Sequence, residues 1–140
     1  MGLLFLPPTG DSLVALHNQL LVNGVTDKAM MNGEEIKQWL SQLVSDIGMK
    51  VIMGPLSFYV SKEGNKGITA IVGIETSHIA IHVWDEPNPA MVQFDLYTCS
   101  TLPVDLILKK LEKDLGLRDY KFMVIERSHE FRILTEEDYK

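Results

Sequence analysis

Cysteine is almost missing from this chain, as are basic clusters and long apolar runs. A single cysteine, Cys99, in 140 residues cannot close an internal disulfide. That excludes the cross-linked scaffold of a small secreted protein and predicts a reducing, cytoplasmic setting. Lysine and arginine number 13 against 19 acidic residues, a formal charge of −6, and they form no run. The electrostatic footprint of a nucleic-acid binder is therefore lacking. The apolar stretch Gly2 to Leu6 has no basic flank and meets Pro7 and Pro8, too short for a signal peptide or a membrane span. It predicts a loose arm and a candidate dimer contact. Repeats and low-complexity segments are absent as well, and the polar glycine-containing stretches have the length of turns rather than of interdomain linkers. What remains is 46% hydrophobic, enough for one domain over 1–140 with its own core.

Periodicity supplies the elements. A β-like run spans Val14 to Val22, broken by His17 and Gln19. After Asn32, the residues Ile36, Trp39, Leu40, Leu43, Val44 and Ile47 recur at helical spacing on one face. Asn32 and Glu35 stand at the two positions of a capping box, and Gly48 is placed to end the helix. Runs rich in β-branched residues follow at Lys50 to Val60, Ile68 to Ile74 and His78 to Trp84. From Met91 to Thr98, strict alternation puts Val92, Phe94 and Leu96 on one face and Gln93, Asp95 and Tyr97 on the other. A second helix opens at Pro103 with a stripe of Val104, Ile107, Leu108, Leu111 and Leu115, and Gly116 lies beyond its end. A last strand runs from Lys121 to Glu126.

Each helix has one apolar stripe, so both can cover the same face of one sheet. The expected fold is an α/β (α+β) two-layer sandwich, a mainly antiparallel sheet with two helices on one face. Its other sheet face would carry the polar members of the alternating strands, where a site or subunit interface can form.

Chemistry concentrates between Glu75 and Glu86. Ser77 closes the short Glu75-Thr76-Ser77 turn, and His78 and His82 share one side of the period-two strand that follows. Cys99 ends a later strand. Serine, histidine and cysteine so arranged are compatible with acyl chemistry or with a metal site. The zinc pattern is weak, since His78, His82 and Cys99 have no second cysteine or histidine nearby, and no metal is expected. In isolation Ser77 reads as a turn residue, His82 as a core histidine and Cys99 as a small buried hydrophobe. Trp84 and Met30-Met31 read as packing residues, and Glu136-Glu137-Asp138 as a solvated end.

Taken together, Ser77-His78, Ile81-His82, Trp84, Glu86 and Phe94-Asp95-Leu96-Tyr97-Thr98-Cys99 resemble the prokaryotic S-adenosylmethionine decarboxylase pattern of Ser-His, Ile-His-Thr-Trp-Pro-Glu and a terminal Thr-Cys. Gly67-Ile68-Thr69 is similar to the Gly-Val-Ser that precedes the family's cleavage serine at the same distance. In outline the likeness runs from the strand near His17 to Glu126-Arg127.

The resemblance implies a pyruvoyl-dependent proenzyme. Ser77 Oγ would attack the Thr76 carbonyl, and the resulting ester would be eliminated to leave chains 1–76 and 77–140, the second headed by a pyruvoyl group. That ketone would form a Schiff base with the substrate amine and accept the electrons released with CO₂, for which no standard side chain is an adequate sink. By position, His82 corresponds to the processing base, Thr69 to the processing hydroxyl and Cys99 to the proton donor that reprotonates the substrate carbon. Glu86 corresponds to the acid that binds the ribose hydroxyls. The implied product is decarboxylated S-adenosylmethionine for spermidine synthesis, and the implied assembly is a homodimer with sites near or across its boundary.

Three departures mark this chain, two at or after the cleavage position and one before Gly67. Thr76 stands where the family has glutamate; Asp85 replaces its proline and the loop Pro87-Asn88-Pro89 reaches Cys99 through two extra residues. The segment Ser61 to Lys66 lacks the aromatic that stacks on adenine in the family, leaving Phe58 or Tyr59 to supply it from upstream. The alternatives that follow are pyruvoyl chemistry on ornithine or arginine, and an uncleaved non-catalytic regulatory homologue.

Overall fold

The computed structural model describes residues 17–28, 31–75, 77–128 and 130–139. The expected run Gly2 to Leu6, the start of the first expected strand, Met30 and Thr76 fall outside them.

Seven strands form one antiparallel sheet: β1 (Asn18–Thr26), β2 (Val51–Val60), β3 (Gly67–Ile74), β4 (Ser77–Trp84), β5 (Ala90–Thr98), β6 (Leu117–Glu126) and β7 (Arg132–Leu134). Their order is β2-β3-β4-β5-β1-β6-β7. Helices α1 (Gly33–Asp46) and α2 (Val104–Leu115) bury the stripes expected of them, except that Ile47 caps the end of α1 and is only partly buried, and α3 (Glu136–Tyr139) is a single turn.

Both long helices lie on one sheet face. Trp39 of α1 meets the Phe94 ring edge-on at 6.4 Å and donates its indole N–H to Asp114 of α2 at 2.9 Å. Lys110 on α2 pairs with Asp46 of α1. The helices share one core with Leu20, Val22, Ile79, Ile81, Val83, Phe94 and Leu96. The opposite face of the sheet carries no layer among the described residues.

Local chemistry sets the helix ends. Asn32 Oδ1 accepts the Glu35 N–H while Glu35 Oε1 accepts the Asn32 N–H, both at 2.9 Å, a complete capping box. Gly116 takes the left-handed conformation that closes α2, φ 66°. Gly67 is required for another reason: a Cβ there would sit 2.0 Å from the Val83 carbonyl oxygen of the neighbouring strand.

Several boundaries differ from the expectations. β1 continues through Asn23 and Gly24 to Thr26 because β5 and β6 pair with it on both sides. β6 begins at Leu117, four residues earlier than the apolar run, since its partner β1 extends that far. β7 and α3 were not expected. β7 has only three residues, and the acidic end forms α3, with the Asp138 carboxylate accepting the N–H and hydroxyl of Thr135.

Candidate active site

Alternation decides which side chains reach the open face. On β4, Ile79, Ile81 and Val83 enter the core, whereas His78, His82 and Trp84 stand on the open side. Register then aligns neighbours: Phe58, Thr69, His82 and Gln93 form one cross-strand row, and Gly73, His78, Tyr97 and Gln19 another.

Two clusters result, at opposite ends of β4. In the first, Thr69 Oγ1 lies 3.1 Å from His82 Nδ1, and the His82 ring stacks on Trp84 at 5.7 Å. Trp84 therefore packs on the open face, against His82, and not in the core under the helices. Its N–H reaches Asn65 at 2.8 Å, because an even position on β4 faces away from the helices. Glu86 accepts the N–H groups of Gly64 and Lys66 at 3.1 and 3.2 Å, which clamp the 61–66 turn and hold its carboxyl below the usual glutamate range. Phe58, 70% exposed, shares the row of Thr69 and His82. Tyr59 points the other way, and its hydroxyl donates to Asp85, which raises the phenol's pKa. Of the two upstream aromatics, only Phe58 joins this cluster.

The second cluster holds Ser77 and Cys99. Ser77 Oγ donates to the Glu75 carbonyl at 3.4 Å and accepts the Cys99 backbone N–H at 3.3 Å. Beneath it the sheet end is polar. Thr98 and Asn18 are buried opposite one another, and Asn18 Oδ1 is the one buried side-chain acceptor without a partner among the described residues.

These clusters do not meet within one chain. Ser77 and His82 are five residues apart on a continuous strand, about 16 Å, and alternate to opposite faces. Proton transfer needs contact of about 3 Å. The structure thus pairs His82 with Thr69 and Ser77 with Cys99, and leaves the halves separate.

A polar chain on the open face escaped the sequence analysis. Asp95 accepts Gln19 Nε2 at 2.6 Å and lies 3.5 Å from His78 Nε2. Gln19 Oε1 accepts an Arg127 N–H at 2.8 Å, and the Arg127 guanidinium sits 4.6 Å over the Tyr97 ring. The Tyr97 hydroxyl meets His17 Nδ1 at 3.0 Å. Alternation in β5 assigns Asp95 and Tyr97 to the polar face, but their partners come from β4, from β1 and the residue before it, and from the residue after β6.

Fold and site together define a one-sided α/β sandwich whose open face presents hydroxyl, imidazole and carboxylate groups, with Ser77 and Cys99 in contact at one end of the sheet. No three His, Cys, Asp or Glu side chains converge as a metal cluster among the described residues. The chain belongs to the S-adenosylmethionine decarboxylase family, whose sequence profile matches residues 18–128. It is 26% identical over 117 residues to the S-adenosylmethionine decarboxylase proenzyme of Archaeoglobus fulgidus, covering 82% of this chain and 98% of that protein. No described helix is long and apolar enough to cross a membrane.

Proposed function

We propose that this chain is a self-cleaving proenzyme that decarboxylates S-adenosylmethionine, with sites completed across a homodimer. One observation supports the reading: Ser77 Oγ accepts the backbone N–H of Cys99, so the residue to be processed touches the main chain of the residue whose thiol would return a proton.

The dimer follows from the two separated clusters and from the open face between them. Met53, Leu56, Phe58, Ile71, Met91, Met123 and Ile133 are all exposed on that face. A monomer rarely leaves such a patch to solvent. A second copy, turned by a two-fold axis, would cover it and lay the Thr69–His82 end of one protomer over the Ser77–Cys99 end of the other.

In cleavage, Ser77 Oγ attacks the Thr76 carbonyl carbon and the peptide nitrogen leaves as an amine. His82 of the second copy, steadied by Thr69, removes the residue 77 Cα proton, and the Thr76 carboxylate departs from Cβ. Tautomerisation, addition of water and loss of ammonia leave a ketone on residue 77. That pyruvoyl group, when formed, supplies the electron sink that decarboxylation needs. Cys99 protonates the substrate carbon afterwards. Glu86 keeps lone pairs for the ribose hydroxyls beyond the two N–H bonds it accepts, and Phe58 and Trp84 offer ring faces for the adenine.

Intact-mass spectrometry of purified protein is expected to show fragments 1–76 and 77–140. Carboxyl-labelled S-adenosylmethionine is expected to release CO₂ with the wild type but not with Ser77→Ala. A single full-length species after prolonged incubation would overturn the enzyme reading in favour of a regulatory homologue. Because the Ser61 to Lys66 turn has no aromatic, ornithine and arginine belong in the same substrate panel.

A further inference from the structure

Beside Ser77 the open face is hollowed into a cleft of about 340 Å³, lined by Met53, Gly54, Leu56, Ile71, Gly73, Ser77 and His78. Its walls are apolar apart from the serine and one ionisable side chain, His78. That imidazole does not take part in the cleavage chemistry described above.

Resting on the proposed function, we infer that His78 is the anchor for the substrate's α-carboxylate and that Asp95 is its positioning residue. The first argument is positional. Any amino acid attached through its amine to residue 77 carries its carboxylate carbon within about 4 Å of the attachment carbon, a matter of three bonds. The next side chain that borders the same cleft is His78. The apolar walls offer the carboxylate nothing, and an anion placed there without a partner would be costly.

Second, the imidazole is supported from behind. Asp95 Oδ2 lies 3.5 Å from Nε2, an ion-pair contact rather than a close hydrogen bond. The other Asp95 oxygen accepts from Gln19, and Gln19 accepts from Arg127, so the carboxylate is held in place by a chain of side chains that ends in a guanidinium. With Asp95 accepting at Nε2, a substrate carboxylate can be met at Nδ1 only by a second N–H donor, so the ring that bridges the two carboxylates is the doubly protonated imidazolium. The Tyr97 ring, 5.8 Å from His78, limits its rotation on the β5 side. Towards β3 and β2 the row offers only Gly73 and Met53, so Asp95 and Tyr97 are the ionisable groups facing His78 from the strands that pair with β4.

A carboxylate anchor acts mainly on binding. The negative charge it meets is lost in the reaction, so the contact is weaker in the transition state than in the bound substrate. His78 would therefore set affinity and orientation more than rate.

Two ligands separate this role from a structural one: the methyl ester of the substrate, which lacks the anion, and its 1-aminophosphonate analogue, which keeps an anion that cannot leave as CO₂. Both are built on whichever amino acid the substrate panel shows to be turned over. Calorimetric titration of the cleaved wild type should give at least tenfold tighter binding of the phosphonate. His78→Gln should lose about tenfold or more for the phosphonate and less than twofold for the ester. Asp95→Asn should follow in the same direction by a smaller factor, with KM rising more than kcat falls. Mass spectrometry of each preparation first establishes cleavage, so an uncleaved wild type counts against the proposed function and not against His78. A wild type indifferent to the two ligands overturns the inference. So does equal loss for both ligands, a fall in kcat with unchanged KM, or failure of both variants to cleave, which would move His78 into processing.

Discussion

Co-expression of a Ser77→Ala chain with a His82→Ala chain is expected to restore cleavage that neither supports alone. The expectation comes from β4, which spans Ser77 to Trp84 without a break and pairs with a strand on each side. At about 3.3 Å per residue, five steps separate Ser77 from His82 by about 16 Å, with side chains on opposite faces. A paired strand has no freedom to close that gap, so His82, if it is the base as proposed, would have to reach residue 77 from another copy. With equal expression and random pairing, about half of the His82→Ala chains meet a Ser77→Ala partner in a two-fold dimer. Each such chain has an intact Ser77 and faces an intact His82. About half of the His82→Ala chains should then be cleaved, no Ser77→Ala chain should be, and about a quarter of the wild-type number of ketones should form. Differently tagged chains resolved by intact mass give all three figures. Absence of cleaved His82→Ala chain in the mixture, with dimers present, would refute action across the interface, and normal cleavage of His82→Ala alone would remove His82 from the chemistry.

Three further outcomes are expected from the same fold. Leu56→Asp with Phe58→Asp places two charges on the open face, where the side chains are 68% and 70% exposed in the isolated chain. Sedimentation should show a monomer that stays uncleaved yet keeps its circular dichroism. Phe94→Ala empties a buried site that meets Trp39 edge-on and should cost about 3–5 kcal/mol in urea unfolding. Glu86 has its carboxyl pKa depressed by the Gly64 and Lys66 N–H groups, so its hold on the 61–66 turn is complete above the ordinary glutamate value of about 4.3. That hold is lost as pH falls through the lower folded value. Amide exchange at Gly64 and Lys66 should be faster in Glu86→Gln than in wild type at neutral pH, and the difference should vanish in acid.

The helices and most strands were legible in the chain because their signals are local. Asn32 and Glu35 are three residues apart and bond to each other's backbone. The stripes on α1 and α2 repeat at 3.6 residues wherever a helix happens to pack. β7 carried too few residues to show a period, and the extra residues of β1 and β6 are held by cross-strand pairing rather than by their own apolar content. Which face Trp84 packs on was not legible, because an aromatic in an apolar run can pack on either side until the face of the strand is known.

Sequence alone determined the residue types and their spacing: a serine after a turn, histidines one and five places on, and a cysteine closing a later strand. Those are properties of nearby positions, and a motif preserves them without any fold. Tertiary structure decided which of them meet. The pairing of β3 with β4 put Thr69 on His82, the end of β5 put the Cys99 N–H on Ser77, and the straightness of β4 kept those pairs apart. Asp95, Gln19 and Arg127 became one chain only because β1 lies beside β5 in the sheet, 76 residues away in sequence for the Gln19–Asp95 bond. Contacts at such separation depend on strand order, and strand order is set by how the whole sheet closes over one core rather than by any local run of residues.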